Sequence, residues 1–209
     1  MDFYEVLDRR RFTRRFSDRP VPEDVLERIL GTALKAPTND HLHQLEFVVV
    51  RDREKIAEVI APVAENTARV QERMIAENAG SMDPDELAMF REALPRQHTM
   101  LIESGCLVLP FFKQEGCPLT KPADQSSLNY FASAWAAVEN ILLAAAAESV
   151  GTAFRIPIEN ESEHAKRVVG APEGYEFVCF LALGYPAEGP HFCRPKRIDV
   201  RDRIHRNEW

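Results

Sequence analysis

The sequence predicts a three-layer α+β sandwich folded as one domain. Three observations carry that expectation: helical and strand patterns alternate, the helices outnumber the strands, and no repeat or Gly/Ser-rich linker interrupts the 209 residues. Hydrophobic residues make up 45% and charged residues 28%, a balance that supplies a sizeable core. The longest apolar runs, Cys106 to Phe112 and Ile141 to Ala147, are short of the roughly 18 residues a membrane span requires, so no transmembrane helix is expected.

The segment from Phe3 to Arg11 carries Val6 and Leu7 on one side and reads as a short helix leading into a basic loop. Pro22, Glu23 and Asp24 mark a helix first turn, and Val25, Ile29, Leu30, Ala33 and Leu34 recur at helical spacing until Ala36-Pro37 ends it. After a polar loop, Phe47-Val48-Val49-Val50 reads as a buried strand. Helical patterns follow over Glu54 to Ile60 and Val63 to Ala79, and Asp83-Pro84-Asp85-Glu86 has the cap, proline and acid of a further helix start. The polar stretch 63–96 has weak apolar periodicity, as a lid would. Cys106 to Leu109 is a second strand. The longest helix, Ser127 to Ser149, is apolar nearly all round and rich in alanine, which suits burial on several sides and a subunit interface. Gly151 stops it, Thr152 to Ile156 is a short strand, Glu161 to Val169 a helix, and Glu176 to Leu183 a strong strand. The tail 186–209 has little to fold around unless it wraps another chain.

Composition excludes several classes. Four cysteines (Cys106, Cys117, Cys179, Cys193) are too sparse for a disulfide scaffold, and none pairs as C-x-x-C. The net charge of -7 argues against a general nucleic-acid binder. The start, Met1-Asp2-Phe3-Tyr4-Glu5, does not resemble a secretory signal, so a cytoplasmic location is the expectation. There is no G-x-G-x-x-G, no G-K-[ST] and no G-x-S-x-G. His41-Leu42-His43 could place two imidazoles on one side of a strand, but no third ligand stands at recognisable spacing, so no metal site is expected. What stands out is charge distribution: Arg9, Arg10, Arg11, Arg14, Arg15 and Arg19 crowd one segment of an acidic chain. Arginine's planar fork matches phosphate, and Phe12 and Phe16 alternate with it as anchors; a solvated charge run is the bland alternative.

Taken in order, Phe3-Tyr4-Glu5-Val6-Leu7, Arg10-Arg11-Phe12-Thr13-Arg14-Arg15-Phe16, Pro20-Val21, Ala36-Pro37-Thr38 and Phe47 to Val50 resemble the opening of the flavin-dependent nitroreductase superfamily. The likeness continues through Glu139-Asn140, Gly151-Thr152, Pro157, Leu183-Gly184-Tyr185-Pro186 and Pro195-Lys196-Arg197, covering almost the whole chain. It implies an α-β-α sandwich with a mixed sheet and an intertwined homodimer binding FMN between subunits. By position, Arg10, Arg11 and Arg197 would hold the FMN phosphate, and Arg14 would face N1 and O2 of the flavin. Pro37, Thr38, Asn39 and Asp40 would lie along the flavin edge and ribityl chain, and Phe154, Arg155 and Ile156 near N5. The resemblance implies hydride taken from NADH or NADPH and passed to a small electron-poor acceptor such as a nitroaromatic, quinone or enone. No protein acid or nucleophile is implied, so no catalytic residue is expected.

The chain departs from the family pattern at several points. Phe12 stands where a small hydroxyl residue is usual, leaving a phosphate hydrogen bond to Thr13 or a backbone N–H. The loop Asp40-His41-Leu42-His43-Gln44-Leu45 replaces a frequent Gln-Pro-Trp ending. Arg155 is a bulky cation where small residues are common; it either selects an anionic substrate or forms a structural salt bridge. The nearest echo, Phe3-Tyr4-Glu5 and His41, is to the halotyrosine dehalogenase branch, whose lid clamps an amino-acid zwitterion with Glu, Tyr and Lys. Between Glu58 and Phe112 this chain has no Tyr and no Lys, so deiodination is not expected. Two other readings stay open: a protein that sequesters or consumes FMN without nicotinamide turnover, and a module that binds phosphorylated ligands or polyanions through the arginines.

Overall fold

The computed structural model describes residues 1–114, 128–189 and 198–209. Among these, the helices are α1 (Phe3–Arg9), α2 (Glu23–Ala33), α3 (Arg53–Val59), α4 (Val63–Ala79), α5 (Pro84–Ala93), α6 (Thr99–Ile102), α7 (Asn129–Ala147) and α8 (Glu161–Val169). The strands are β1 (Leu45–Val50), β2 (Cys106–Lys113), β3 (Gly151–Arg155), β4 (Tyr175–Phe177) and β5 (Phe180–Gly184). Local chemistry sets several boundaries. Asp2 with Glu5, and Asp83 with Glu86, close reciprocal capping boxes at the starts of α1 and α5. Gly170, in the left-handed region at φ 67°, ends α8.

The sheet runs β1-β2-β5-β3, with β4 on the same edge of β2 as β5. All four ladders are antiparallel. The parallel component expected of a mixed sheet is confined, among the described residues, to one bridge between Phe12 and Thr152.

The strand expected over Glu176 to Leu183 is broken in two. From the pairing of Val108 with Leu181 to that of Phe111 with Phe177, β2 advances three residues and its partner four. The extra residue is a bulge at Val178–Cys179 opposite Pro110, whose missing N–H weakens the ladder there. The Pro110 carbonyl still accepts from the Val178 N–H at 3.0 Å. The bulge turns Val178 and Cys179 to one face and Phe177 and Phe180 to the other, where the two rings meet edge to face at 4.8 Å.

Alternation along β2 divides the core into two layers. Cys106, Val108 and Phe112 pack with α2 and α7 through Leu26, Ile29, Ala33, Val138, Ile141 and Leu142. Leu107, Leu109 and Phe111 pack with α3, α6 and α8 through Ile56, Val59, Met100, Leu101 and Ala165. The three layers expected from sequence are therefore present. Burial holds both core thiols uncharged: the Cys106 pKa is pushed up to about 11 and that of Cys179 further up.

Among the described residues one helix, α7, is long and apolar enough to cross a membrane by length and composition. The sequence reading from seven-residue runs did not register it, because Glu139 and Asn140 divide its apolar stretch. Its packing against α2 makes it a core helix.

Candidate functional site

The basic segment leaves α1 at Arg10, whose φ/ψ of -57°/118° ends the helix. From there it is stitched along the sheet. The Thr13 N–H donates to the Thr152 carbonyl at 2.7 Å, the Ser17 N–H to that of Tyr185 at 2.8 Å, and the Ala187 N–H to that of Arg15 at 3.1 Å. Phe16 is the buried anchor. Glycine makes both seams possible. A Cβ on Gly151 would lie 2.8 Å from the Cβ of Thr13 and closer still to its hydroxyl, and one on Gly184 would lie 2.8 Å from the Phe16 ring.

The arginines emerge from this rigid backbone. Arg9, Arg10, Arg11 and Thr13 line a cleft with Ala146, Ser149, Val150, Gly151, Thr152 and Pro186; among the described residues no carboxylate lines it. Arg10 sits 3.8 Å from Glu139 outside that lining, and Arg11 Nη1 donates to the Arg10 carbonyl at 2.7 Å. The C-terminal end of α7 faces the same cleft, so the arginines also offset its carbonyl dipole. Phe12 does not line the cleft. Its ring lies between Arg10 at 5.7 Å and Arg14 at 5.3 Å. Arg14 also reaches the Met100 sulfur at 3.0 Å. Phe12 meets Phe154 edge to face at 4.9 Å, and Phe154 meets Trp135 at 5.2 Å, which joins β3 to α7. The Thr13 backbone N–H, one candidate to replace the missing phosphate donor, is committed to Thr152.

At the other end of α7, Pro37, Thr38 and Asn39 line a second cleft with Asn129, Ala132, Ser133 and Ala136. The Asn39 N–H donates to Ser133 Oγ at 3.0 Å, Ser133 Oγ donates to the Asn129 carbonyl at 2.8 Å, and Asn129 Nδ2 reaches Asn39 Oδ1 at 3.3 Å. Beyond Asn39 the backbone turns within the loop expected over Thr38 to Gln44 and does not set His41 and His43 on one side of a strand. Asp40, His41 and His43 are left-handed at φ 50°, 55° and 47°, and both imidazoles are exposed. Asp40 accepts from Asn39 Nδ2 at 2.9 Å, which steadies this turn. Beneath it, Thr38 and Gln44 line a small apolar pocket with Phe112 and Tyr130. Thr38 Oγ1 and Gln44 Oε1 are buried there without a hydrogen-bond partner among the described residues.

The open question at Arg155 is resolved. Its guanidinium faces inward and grips Glu161, Nε to Oε2 at 2.9 Å and Nη2 to Oε1 at 2.6 Å, with the two side chains 7% and 0% exposed. It is a buried salt bridge, and the selection of an anionic substrate by this side chain is set aside. Ile156 beside it is 56% exposed.

The structure thus gathers Arg10, Arg11 and Thr13 at the C-terminal end of α7, joins Phe12, Arg14 and Phe154 to them by ring contacts that extend to Trp135 and Met100, and sets Pro37, Thr38 and Asn39 in a separate cleft at the N-terminal end with Asp40 on the turn beyond. Arg197 lies outside the described residues. Sequence reasoning missed Asn129, Ser133 and Ala136 as partners of the 37–40 loop, although their i, i+4, i+7 spacing puts them on one helix face. Trp135 and Glu161 were also missed; only the fold reveals them.

Comparisons with known proteins follow this geometry. The sequence profile of the Nitroreductase family matches residues 7–185. A Methanothermobacter thermautotrophicus protein, provisionally named an NADH dehydrogenase/NAD(P)H nitroreductase, is 27% identical over 100% of this chain and 88% of its own length. An iodotyrosine deiodinase of Haliscomenobacter hydrossis is 26% identical over 90% of this chain and 81% of its own. Among solved structures, an FMN-dependent nitroreductase of Clostridium difficile superposes with a TM-score of 0.69 at 18% identity, covering 98% of both chains.

Proposed function

The chain belongs to the nitroreductase family, and from that premise we propose that it is an FMN-dependent oxidoreductase, active as a homodimer, that passes hydride from NADH or NADPH to a small electron-poor acceptor. The observation that carries this is the cleft of Arg9, Arg10 and Arg11, lined by no acid among the described residues and floored by Thr13 and Gly151. It suits a dianionic phosphate, because arginine forks form charge-assisted bonds to phosphate oxygens. The unpartnered Thr38 Oγ1 and Gln44 Oε1 are a second point of fit, offering polar atoms where the flavin edge and ribityl chain are expected.

In this reading Arg10 and Arg11 hold the phosphate, joined by Arg197 from the tail. Arg14, kept near Phe12 and Met100, supplies a fixed positive charge that favours negative charge developing on the ring system. When bound, FMN supplies the hydride chemistry at N5. The chain contributes binding, orientation and field; no side chain is assigned as an acid or base. Arg14→Ala is expected to lower the flavin's reduction potential, measured by anaerobic photoreduction against a reference dye, and an unchanged potential would show that Arg14 acts elsewhere.

The two clefts sit apart within one chain, and only 33% of the apolar α7 window is buried in it. Both features fit a dimer in which the 37–40 loop of one subunit completes the arginine cleft of the other. The 198–209 tail, with Ile198, Val200, Ile204 and Trp209 exposed, fits the same reading by wrapping the partner. In the 63–96 region, α4 buries Val63, Asn66, Thr67 and Val70 near its start while α5 buries none of its residues, which suits a lid hinged at its base. The lid's lack of Tyr and Lys leaves deiodination unproposed.

The test is the visible absorption spectrum of the purified protein, followed by anaerobic titration with NADH and with NADPH. A flavin spectrum that bleaches with either donor supports the oxidoreductase. A flavin that stays oxidised with both would move the reading to a protein that sequesters FMN, and failure to take up added FMN would overturn the flavin site.

A further inference from the structure

We propose that Arg155 and Glu161 are positioning residues for the flavin reaction: their buried ion pair sets the 155–158 backbone beside the cofactor and, through Asn66, fixes the base of α4 to the same segment. This rests on the flavin-site reading above.

Glu161, fully buried at the start of α8, accepts four hydrogen bonds. Two come from Arg155, one from the Ile158 N–H at 3.1 Å and one from Asn66 Nδ2 at 3.2 Å. Asn66 Nδ2 also reaches Asn160 Oδ1 at 3.1 Å, and Asn66 Oδ1 accepts from Arg69 Nη2 at 2.8 Å. One carboxylate therefore joins the end of β3, the loop after it, and α4. Stability alone is a poor reason for this arrangement, since a buried ion pair roughly breaks even with apolar residues of similar volume. What the pair supplies is direction. Ala153 packs on the α8 side of the sheet, and Arg155 follows it by the two-residue alternation of a strand. Drawing Arg155 inward turns Ile156 to the face of Phe154, whose ring rests against Phe12 between Arg10 and Arg14. The exposed Ile156 thus stands on the arginine side of the sheet, and the bond to the Ile158 N–H holds the turn that follows, where Glu159 is left-handed at φ 51°.

The link to α4 has its own consequence. Buried residues of α4 end at Val70, so Asn66, with Arg69 placed 3.8 Å from Glu159 at the surface, ties the 155–161 segment to a helix pair whose distal part has no buried residue. Access over the cofactor is then set from the same carboxylate that orients Ile156.

The test separates positioning from stability. Arg155→Met/Glu161→Met keeps the volume filled and removes both charges together but leaves the Ile158 N–H without its acceptor, so its melting temperature falls by several degrees while the fold is kept. Its KM for a quinone such as menadione is expected to rise ~10-fold with kcat changed far less, and the flavin absorption bands to shift. Asn66→Ala, which leaves the ion pair intact, is expected to speed amide hydrogen exchange across α4 in the FMN-free protein and to raise the same KM by a smaller factor. Parental KM, parental flavin bands and parental α4 exchange would overturn the proposal. Should the double variant fail to fold, Asn66→Ala decides by itself. A parent that takes up no FMN would overturn the flavin reading and this inference with it, a result distinct from variants that bind FMN and behave as the parent does.

Discussion

The two ends of α7 carry clefts of opposite construction. At the C-terminal end the arginine segment is held by main-chain hydrogen bonds to Thr152 and Tyr185, over glycines that admit no side chain. At the N-terminal end the 37–44 loop is held mainly by side chains, Ser133, Asn129 and Asn39, and passes through three left-handed residues. The arginine segment of the first cleft is held within one chain, while the loop beside the second leaves Thr38 Oγ1 and Gln44 Oε1 without partners among the described residues. A phosphate anchor needs fixed cations whose geometry survives without the ligand. A surface that meets a planar ring and a partner subunit is better left with unspent hydrogen-bonding capacity, which the ligand then satisfies.

If that contrast holds, damage to the first cleft should cost the most. Arg10→Ala combined with Arg197→Ala removes two charges assigned to one phosphate; at about 1.5–3 kcal/mol per charge-assisted bond, the loss in FMN affinity is on the order of 100-fold or more. Flavin fluorescence titration reads it directly, and equal occupancy in variant and parent would remove the assignment. Gly151→Ala attacks the same cleft through its floor. The new methyl cannot avoid Thr13, whose backbone is bonded to the neighbouring Thr152, so about 1–3 kcal/mol of stability is expected to be lost, visible as a lower melting temperature before any flavin is added. A parental melting temperature would mean that the seam between Thr13 and Gly151 is softer than its contacts indicate.

The same contrast explains what the sequence made legible. Helices α4 and α8 fall on the residues expected, because apolar spacing and local start signals act within a few residues of one another. The arginine segment was legible as a cluster, and the Gly151-Thr152 turn as part of a family pattern. What escaped was set by distant neighbours. The break between β4 and β5 answers to Pro110 on another strand. The left-handed course of Asp40, His41 and His43 answers to the tether on Ser133, some ninety residues away. Arg155 left two roles open because Glu161 lies across a turn whose closure depends on the folded loop.

Thr38→Val sharpens the comparison with a smaller effect. The Thr38 hydroxyl has no partner among the described residues, so removing it should leave the stability of the FMN-free protein unchanged or slightly higher. In the flavin-bound dimer the same hydroxyl would be engaged, and its loss should weaken FMN binding by about 1 kcal/mol, roughly fivefold. Thermal melts with and without FMN separate the two. A variant destabilised equally in both states would show that the hydroxyl serves the fold and that the second cleft is as self-contained as the first.

The smallest expected effect distinguishes the clefts by pH. His98 precedes α6, the short helix whose Met100 touches Arg14, and burial lowers its pKa below the usual 6.5. The unfolded chain therefore takes up that proton more readily than the folded one. The contribution of His98 is fully present above about pH 6.5 and is lost as the pH falls through the lower folded value. The helix affected carries Met100, which Arg14 touches, whereas the 37–40 turn is held by Ser133 and Asn129 of α7. Lowering the pH from 7.5 to 5.5 should accordingly reduce the amide protection factors, referred to the intrinsic exchange rate at each pH, in α6 more than across residues 38–44. His98→Gln, which cannot titrate, should flatten the α6 response and leave that of residues 38–44 as it was. An α6 response that persists in His98→Gln would assign the pH dependence to other groups and remove this distinction between the two ends of α7.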